Sequence, residues 1–564
     1  MDANHYDAVV VGSGFGGSVM AYRLAEAGLR VVVMERGRAY PPNSFPRSPY
    51  RMKSNFWDPS EGLHGLFNVW SFRGLAGVVS SGLGGGSLIY ANVLLRKTPE
   101  TFVREDLDDG GHEYWPVTYE ELVPHYEHVE RMMVAQCYPL EHEPYNGTAK
   151  TLALKLAAER IGHEWLLPNL AVTFANPGEA PALGVPIRDG EQNYHRQPRY
   201  TCRLCGECNI GCNFGSKNTL DFTYLSAAER RGAEIRPRHE VRSFAPRSGG
   251  GYTIDYVAHT HTEDGVKPAQ PTSQLPVQTV TADRLILSAG TFGSTYLMLK
   301  NRDNFPDLSP ALGSRFGGNG DLLTFILKCI DAEGGTRRTR VLDPGYGPVI
   351  TCALHVKDEN AGGTGREYYI EDAGYPEFLN WILETSNQLA FLKRSVRLAR
   401  RLLSSWLDRD PDSDLGAEVA AYLGSCALSA SSLPLLGMGR DIPDGQMSIS
   451  PKGRLAVDWR EKGSDAYFQR VRKTAEEIAG ALDGKFLDNP LWYLSRVVTV
   501  HPLGGCPMGE NNQHGVVDSY GQVFGYPGFT IADGSVMPGP VGPNPSLTIA
   551  ALADRFAERA AAPV

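Results

Sequence analysis

YDAVVVGSGFGGSVMAYRLAEAGLRVVVMERG, residues 6–37, says more about the fold than any other part of this chain. An apolar run at residues 8–11 predicts a buried parallel strand, and a turn with the glycine spacing G-x-G-x-x-G follows it at once. A helical pattern comes next, and a second apolar run at residues 31–34 ends in Glu35. The order strand, glycines, helix, strand and acid predicts a βαβ unit that binds a dinucleotide.

Each of the special positions in this unit has a physical role. Gly12 allows the tight turn, Gly14 lets the backbone approach a pyrophosphate, and Gly17 lets the helix pack closely on the strand. The start of the helix offers unpaired N–H groups and the positive end of its dipole to the phosphates. Glu35 stands where a ribose hydroxyl would bind.

Length, charge and composition limit the class of protein. The chain has 564 residues, enough for two or three domains, and its net charge of −9 argues against a nucleic-acid partner. The glycine turn follows Met1 so closely that we expect no signal peptide, and no apolar stretch reaches the ~20 residues of a membrane span. We therefore expect a cytoplasmic protein.

The presence of a single fingerprint bears on the cofactor. The later turn LSAGTFGS (287–294) lacks the G-x-G-x-x-G spacing, and no clear strand precedes SSGLGGGS (80–87). An enzyme that holds both a flavin and a nicotinamide cofactor usually carries two fingerprints. One permanently bound dinucleotide is therefore expected, and we favour FAD over NAD.

Five segments, in this order, resemble the glucose–methanol–choline (GMC) oxidoreductases, in particular a cholesterol-oxidase-like bacterial branch. They are GSGFGG with Glu35, GLGGGSLIYANV, LILSAGTFGSTYLMLKN, LGSRFGGNGD, and HPLGGCPMG with GFTIADGSVMPGPVGPNPSLTIAALADR. The resemblance implies an α/β fold and FAD-dependent oxidation of an alcohol at its CH–OH group. A Rossmann-type FAD-binding domain would be built from the discontinuous residues 1–110, 198–320 and 497–564. An α+β substrate-binding domain of sheet and covering helices would take residues 111–197 and 321–496.

The resemblance also implies which residues hold the cofactor. The FAD contacts that it implies are Gly12, Gly14, Phe15, Gly17, Glu35, Arg36, Gly84, Gly85, Gly86, Ser87, Asn92, Val241, Ala289, Gly290, Asp533, Gly534, Pro545 and Ser546. The first glycines and Glu35 would face the ADP half, Val241 would offer its backbone to the adenine, and the C-terminal residues would flank the flavin. We expect non-covalent binding. One departure is Tyr90, which stands where many relatives have Asn.

His501 and Asn544 match the catalytic His/Asn pair of the family. Histidine can accept a proton near neutral pH, and asparagine offers two donors and an acceptor in fixed geometry. Pro543 and Pro545 restrict the backbone on both sides of Asn544. The resemblance therefore implies that His501 handles the hydroxyl proton, that Asn544 orients the alcohol, and that the flavin accepts the hydride.

Glu371 is a further candidate, because cholesterol-oxidase-like enzymes often add a carboxylate to the active site. It stands with Asp372 between an apolar run and a Gly-Tyr-Pro turn at residues 374–376. This context favours a solvated pair of turn acids over a catalytic carboxylate.

Four cysteines form a run with the spacing C-x2-C-x2-C-x3-C. They are Cys202, Cys205, Cys208 and Cys212. The spacing is that of a bacterial ferredoxin, so an iron–sulfur cluster or zinc is one interpretation. However, Asn213 stands where ferredoxins have proline, there is no second run, and similar segments recur in cholesterol-oxidase-like relatives. We favour free thiols, with a metal site or a disulfide as alternatives.

Residues 389–406 interleave leucines and aromatic residues with lysines and arginines. A core-packed helix with a solvated face is the favoured interpretation. The alternative is a membrane-surface helix, or a lid over an apolar substrate.

The expected function is FAD-dependent oxidation of a bulky, apolar alcohol, sterol-like or long-chain, with oxygen or an electron carrier as acceptor. Three alternatives remain open. The same fold could act on a sugar or a glycosylated natural product, or it could pass electrons through a cluster on the four cysteines. It could also be a non-oxidative flavin lyase or decarboxylase.

Overall fold

The computed structural model describes residues 4–107, 111–188, 192–259, 266, 271–331, 337–357, 367–376, 427–489, 492 and 496–562. The basic amphipathic run at residues 389–406 lies outside the described residues. Within the described ranges, no helix is both long enough and apolar enough to cross a bilayer.

The α-helices are α1 (Phe15–Glu26), α2 (Tyr119–Met132), α3 (Ala149–Ile161), α4 (Tyr224–Arg230), α5 (Gly290–Lys300), α6 (Ala427–Ala430), α7 (Asp465–Ala481) and α8 (Ser546–Ala560). The strands of the first half of the chain are β1 (His5–Val11), β2 (Val31–Glu35), β3 (Trp57–Asp58), β4 (Leu63–His64), β5 (Phe67–Ser71), β6 (Leu75–Ser80), β7 (Val93–Leu94), β8 (Val103–Glu105), β9 (His112–Tyr114), β10 (Gln136–Cys137), β11 (Glu164–Leu166), β12 (Asn169–Leu170), β13 (Glu234–Pro237), β14 (His239–Pro246), β15 (Tyr252–Ala258) and β16 (Val277–Leu287). Those of the second half are β17 (Leu322–Leu327), β18 (Ile330–Asp331), β19 (Arg338–Thr339), β20 (Ala353–Val356), β21 (Tyr368–Asp372), β22 (Leu433–Gly439), β23 (Gln446–Ile449), β24 (Leu455–Asp458), β25 (Lys485–Asp488), β26 (Val497–Thr499) and β27 (Phe529–Ile531).

The predicted dinucleotide unit forms the centre of a seven-stranded sheet. Its order is β13-β2-β1-β16-β15-β14, and β27 also pairs with β16. The pairs that join β13, β2, β1, β16 and β27 are parallel, whereas β15 is antiparallel to both of its neighbours. Ala8 in β1 and Val33 in β2 are fully buried, as expected for a parallel sheet covered on both faces. The predicted strand, helix and second strand are confirmed, as is the strand–turn–helix of β16 and α5.

A second sheet has the order β11-β20-β21-β22-β17-β25 and is antiparallel throughout. The helices α3 and α7 pack on this sheet. Phe468, Val471 and Ile478 recur at helical spacing on α7 and are buried in one core with Ile326 and Leu435 of the sheet. The parallel sheet with its helices and this antiparallel sheet with its helices together make the α/β fold that was predicted.

A short strand precedes the GLGGGS loop, contrary to the sequence-based expectation. It is β6, which pairs with β5 and β26 in a small sheet of its own and not in the parallel sheet. The apolar pattern of β6 is interrupted at Gly77, where a Cβ atom would lie 2.4 Å from the Phe292 ring. Close approach of that ring explains the glycine and why the strand did not stand out.

The interpretation of Glu371 and Asp372 as solvated turn acids is wrong. Both residues belong to β21 and have no exposed surface. The Asp372 carboxylate accepts hydrogen bonds from the buried Lys150 ammonium at 2.7 Å and from the Thr351 N–H at 2.7 Å. The ion pair and the additional hydrogen bond compensate Asp372 for the loss of its solvation. The sequence pattern alone does not predict these partners.

Candidate active site

A single cavity of about 830 Å³ is lined by residues of both large sheets. The parallel sheet and its loops contribute residues 11–16, 34–36, 239–242 and 288–293, together with 533 and 534. The antiparallel sheet contributes Leu323, Phe325, Pro434 and Leu436. His501 and Asn544 also line it, so the same cavity reaches the predicted cofactor loops and the predicted catalytic pair.

The three fingerprint glycines differ in what a side chain would meet. Gly12 has a φ of +96°, and a Cβ atom there would lie 2.3 Å from the Ser288 carbonyl oxygen. A Cβ atom at Gly17 would lie 2.1 Å from the Gly12 carbonyl oxygen. At Gly14, by contrast, it would meet no described atom within 4 Å. Gly12 and Gly17 are therefore required by backbone packing, whereas the free side of Gly14 leaves room for a ligand.

Glu35 joins two glycine loops. Its carboxylate accepts hydrogen bonds from the Ser13 N–H at 3.1 Å and the Ser13 hydroxyl at 2.7 Å. The Gly84 N–H in turn donates to the Ser13 hydroxyl oxygen at 3.0 Å. A Cβ atom on Gly85 would lie only 2.6 Å from the Gly14 Cα. The GGGS loop is thus held against the glycine turn, and both face the same cavity.

Most residues predicted to bind the cofactor line this cavity. Those that do are Gly12, Gly14, Phe15, Glu35, Arg36, Gly85, Gly86, Val241, Ala289, Gly290, Asp533, Gly534, Pro545 and Ser546. The remaining four, Gly17, Gly84, Ser87 and Asn92, are not part of the lining. The Ser87 hydroxyl donates to the Gly84 carbonyl at 2.7 Å and accepts from the Leu220 N–H at 3.0 Å, so it shapes the loop from within.

Asp533 ties the C-terminal segment to the turn before α5. Its carboxylate accepts hydrogen bonds from the Gly290 N–H at 2.9 Å and the Ser535 N–H at 2.8 Å. Burial raises the pKa of Asp533, while these hydrogen bonds oppose that shift. The segment that carries Asn544 is therefore anchored to the parallel sheet on the cavity side.

His501 is held by Asp321. The His501 Nδ1 lies 2.7 Å from the Asp321 Oδ1. The other oxygen of Asp321 accepts hydrogen bonds from the backbone N–H groups of Val500 and His501, at 2.8 and 3.1 Å. Asp321 is buried, whereas His501 keeps part of its ring exposed to the cavity that it lines. The imidazole is therefore fixed at one edge and free at the other.

Asn544 is paired with Glu371. The Asn544 Nδ2 lies 3.4 Å from the Glu371 Oε2, and both residues are buried. Burial is the main cause that raises the pKa of Glu371 to about 8; the Asn544 contact opposes this rise, and the negative charges of Asp372 and Asp321 contribute to it. Glu371 is thus mostly protonated at neutral pH and can donate or accept a proton near that pH.

Two buried side chains hold the loop that precedes Asn544. The Asn319 carbonyl oxygen accepts from the Val541 N–H at 2.9 Å, and its amide donates to the Pro543 carbonyl at 3.1 Å. The Lys97 ammonium donates to the carbonyls of Pro540 and Val541 at 3.1 and 3.0 Å. Burial lowers the pKa of Lys97 well below its ordinary value. The loop geometry is therefore set by side chains far away in sequence.

Sequence reasoning missed Asp321, Asn319 and Lys97. Two of them lie in the segment LGSRFGGNGD, which was used only as a mark of family resemblance. A polar Asn-Gly-Asp end directly before an apolar strand was the available signal for these two. We find no sequence signal that singles out Lys97.

The cysteine-rich segment carries free thiols. Cys202 is buried, and the three half-buried cysteines are Cys205, Cys208 and Cys212. Among the residues that the structure describes, no three or more His, Cys, Asp or Glu side chains are arranged to hold a metal ion. Arg47 fixes the segment through an ion pair with Glu207 at 2.8 Å. The four cysteines form no disulfide in the structure, and the choice between free thiols and a metal site stays a prediction.

The cavity residues fit the FAD that the resemblance implies. The Tyr90 hydroxyl and the Asn544 Oδ1 are buried and have no hydrogen-bond partner in the described part of the chain, although both residues line the cavity. The N-cap residue of α1 is Gly14, so no side chain caps the start of this helix. Because buried polar groups and helix N-termini are normally paired, these groups suit a polar ligand in the cavity.

Comparison with known proteins identifies similar chains of one family. Two models of the GMC oxidoreductase family match residues 6–301 and residues 451–553. The chain is 30% identical to a cholesterol oxidase of Mycobacterium tuberculosis over 98% of this chain and 90% of that one. It is 27% identical to a cholesterol oxidase of Acinetobacter baumannii over 98% and 93% of the two chains. A solved structure of pyridoxine 4-oxidase from Mesorbium loti covers 98% of both chains with a TM-score of 0.53 and 16% identity, which is a likeness of fold.

These matches span nearly the whole length of the chain and contain the glycine loops and the C-terminal segment described above. The predicted resemblance to the cholesterol-oxidase-like branch is confirmed. The chain therefore belongs to the GMC oxidoreductase family, whose members are FAD-dependent oxidoreductases acting on CH–OH groups.

Proposed function

We propose that this enzyme oxidises a bulky, apolar alcohol of sterol-like or long-chain type. The observation that carries the proposal is an apolar wall in the cavity that also contains His501. Leu323 pairs with Leu436 across the strands β17 and β22, and Phe325 pairs with Pro434. Side chains of directly paired residues in antiparallel strands project to the same face, so these four form one patch.

This apolar wall favours apolar substrates over sugars because of the difference in their solvation. An apolar skeleton gains about 25 cal/mol for each Å² that it buries against such a surface. A sugar would leave hydroxyl groups unpaired there, at a cost of about 1–3 kcal/mol for each one. Val349, Ile350 and Val500 add further apolar surface to the lining. The two curated relatives named above are cholesterol oxidases, which agrees with an apolar substrate.

In the proposed reaction the alcohol loses the proton of its hydroxyl oxygen and a hydride from the carbon that carries this oxygen, and a carbonyl group forms. His501 accepts the proton, and Asn544 orients the hydroxyl through its unpaired oxygen. When bound, FAD supplies the acceptor for the hydride. Glu371 is a second acid–base candidate, because it pairs with Leu436 and so projects to the face of the sheet that carries the apolar wall.

We propose that FAD is held without a covalent bond. The glycine turn and the GGGS loop would hold its phosphates, and Glu35 its ribose. Val241 belongs to an edge strand with a β-bulge beside it, which frees backbone groups for the adenine. Acid denaturation followed by ultrafiltration should release all of the flavin into the filtrate, and flavin retained on the protein would contradict this part of the proposal.

The test is an anaerobic screen in which the purified holoenzyme is mixed with sterols, long-chain alcohols and sugars. We expect the first two classes to bleach the visible absorbance of the flavin and sugars to leave it unchanged. Bleaching by sugars alone would contradict the proposed apolar substrate and identify a sugar as the substrate class. No bleaching by any alcohol would favour a non-oxidative reaction. Mixing the reduced enzyme with oxygen or with a dye then identifies the electron acceptor, since the family includes both oxidases and dehydrogenases.

A further inference from the structure

The contact between Asp321 and His501 determines which ring nitrogen carries a proton. The His501 Nδ1 and the Asp321 Oδ1 are 2.7 Å apart, and the Asp321 side chain is only 1% exposed. Three hydrogen bonds donated to the other oxygen of Asp321 favour its carboxylate form, so the proton between the two atoms belongs to Nδ1. Nδ1 therefore donates to the carboxylate, and in the neutral ring Nε2 carries no proton.

The second oxygen of Asp321 is locked by donors. Its Oδ2 accepts from the Val500 N–H at 2.8 Å, from the His501 N–H at 3.1 Å, and from the Thr499 hydroxyl at 2.9 Å. A backbone N–H group can only donate, so whatever atom occupies this place must be an acceptor. The carboxylate is thereby held in one orientation, with Oδ1 facing the imidazole.

We propose that Asp321 is a positioning residue that holds His501 in the Nδ1–H form, so that Nε2 is the atom that accepts the hydroxyl proton of the alcohol. This inference rests on the proposed role of His501. It adds that the carboxylate behind the ring, and not the histidine alone, makes the ring an acceptor toward the cavity. The same order of groups, carboxylate, imidazole and hydroxyl, is a general device for proton abstraction.

Substitution of Asp321 by asparagine should reverse the tautomer of the His501 ring. The asparagine oxygen must take the place of Oδ2, because the alternative sets its NH2 group against two backbone N–H groups. The NH2 group then faces His501 Nδ1 and can only donate to it. Nδ1 becomes the acceptor, and the proton moves to Nε2. The variant keeps the size and shape of the side chain at residue 321, but it turns Nε2 of His501 from a proton acceptor into a donor.

Asp441 offers a matched control. It is also fully buried close to Asp321, and its carboxylate accepts from the Gly318 N–H at 2.7 Å. None of the hydrogen bonds described for it involves His501. Asp441→Asn therefore makes the same chemical change in the same surroundings without altering the partner of the ring.

The experiment records long-range ¹H–¹⁵N spectra of the holoenzyme labelled with ¹⁵N-histidine, at alkaline pH. The His501 signals are identified by their loss in His501→Gln. We expect a protonated Nδ1 and a bare Nε2 in the wild type and in Asp441→Asn, and the reverse in Asp321→Asn. The rate of anaerobic flavin reduction by alcohol should fall by about 10²–10⁴-fold in Asp321→Asn and stay at the wild-type value in Asp441→Asn.

Each outcome separates this inference from the proposed function. A protonated Nε2 in the wild type would overturn the inference, even where Asp321→Asn does not fold. A reversed ring in Asp321→Asn with undiminished flavin reduction would overturn the acceptor role of Nε2. A reversed ring in an enzyme that no alcohol reduces would support the positioning role of Asp321 while the proposed function fails.

Discussion

His501, Asn544 and Glu371 owe their properties to neighbours that lie far away in the chain. One ring nitrogen of His501 is hydrogen-bonded to the buried carboxylate of Asp321. Asn544 contacts the carboxyl group of Glu371, whose pKa is raised to about 8, mainly by burial. At neutral pH the two acids that contact this pair therefore differ in role. Asp321 accepts hydrogen bonds, whereas Glu371 is poised to exchange a proton.

Replacing His501 should slow the oxidation of the alcohol without releasing the cofactor. His501→Ala is expected to keep its FAD, because the cofactor loops do not depend on the ring, while flavin reduction by alcohol slows by about 10²–10⁴-fold. Stopped-flow absorbance under anaerobic conditions measures this rate. His514→Ala is the control, since His514 is exposed in the same C-terminal segment. Flavin reduction at the wild-type rate in His501→Ala would defeat the assignment.

Glu371 should make the stability of the enzyme depend on pH. Its pKa in the folded protein is about 8 against an ordinary 4.5, so the folded state holds this proton more tightly than the unfolded state. The stabilisation is complete below about pH 4.5 and is lost as the pH rises through about 8. The free energy of unfolding should therefore fall between pH 5 and pH 9 by on the order of a few kcal/mol more in the wild type than in Glu371→Gln.

Urea unfolding of both holoenzymes across this pH range provides the measurement. Asp441, whose burial raises its pKa to about 7, contributes the same trend to both proteins and cancels in the comparison. Parallel pH profiles for the wild type and Glu371→Gln would show that Glu371 is not protonated in the folded state.

At the scale of elements, the turn between β1 and α1 is the most constrained connection of the cofactor site. Gly12 combines a positive φ with a close backbone contact to the end of β16, the neighbouring strand in the sheet. The same strand leads into the turn before α5, which Asp533 anchors. A shift at Gly12 is therefore transmitted to two cofactor loops at once.

Gly12→Ala should destabilise the enzyme by more than backbone strain alone would. Gly28 also has a positive φ, +84°, but a Cβ atom there would meet no described atom within 4 Å, so Gly28→Ala isolates the backbone strain of about 1–2 kcal/mol. Gly12→Ala adds a clash at 2.3 Å and should lose FAD during purification. The flavin-to-protein absorbance ratio and urea unfolding measure the two effects. Equal losses in both variants would show that the contact with Ser288 is unimportant.

At the scale of the whole molecule, the cavity is the place where the parallel and the antiparallel sheets meet. A cofactor in this cavity would contact loops of the first sheet and would face residues of the second. The family models match one segment on each side of the long central region, residues 6–301 and 451–553. The exact domain boundaries stay a prediction.

Removing FAD should lower the stability of the whole enzyme. A ligand that binds only the folded state adds about 4 kcal/mol when present at a thousand times its Kd. We expect the apoenzyme to unfold several degrees below the holoenzyme, and added FAD to restore the difference. FMN, which lacks the adenosine half, should restore much less of it. An equal effect of FMN in differential scanning fluorimetry would mean that the glycine turn and Glu35 do not hold the cofactor.

By itself, the sequence determined the βαβ unit and the family, and it suggested His501 and Asn544 as a catalytic pair, because periodicity, glycine spacing and short motifs are local properties of the chain. Only the tertiary structure decided what surrounds those groups. Asp321 reaches His501 across 180 residues, and Glu371 reaches Asn544 across 173. Neither contact follows from a pattern along the chain. Glu371 looked like a solvated acid because sequence context does not reveal burial, and burial between sheet and loop is what changes its charge.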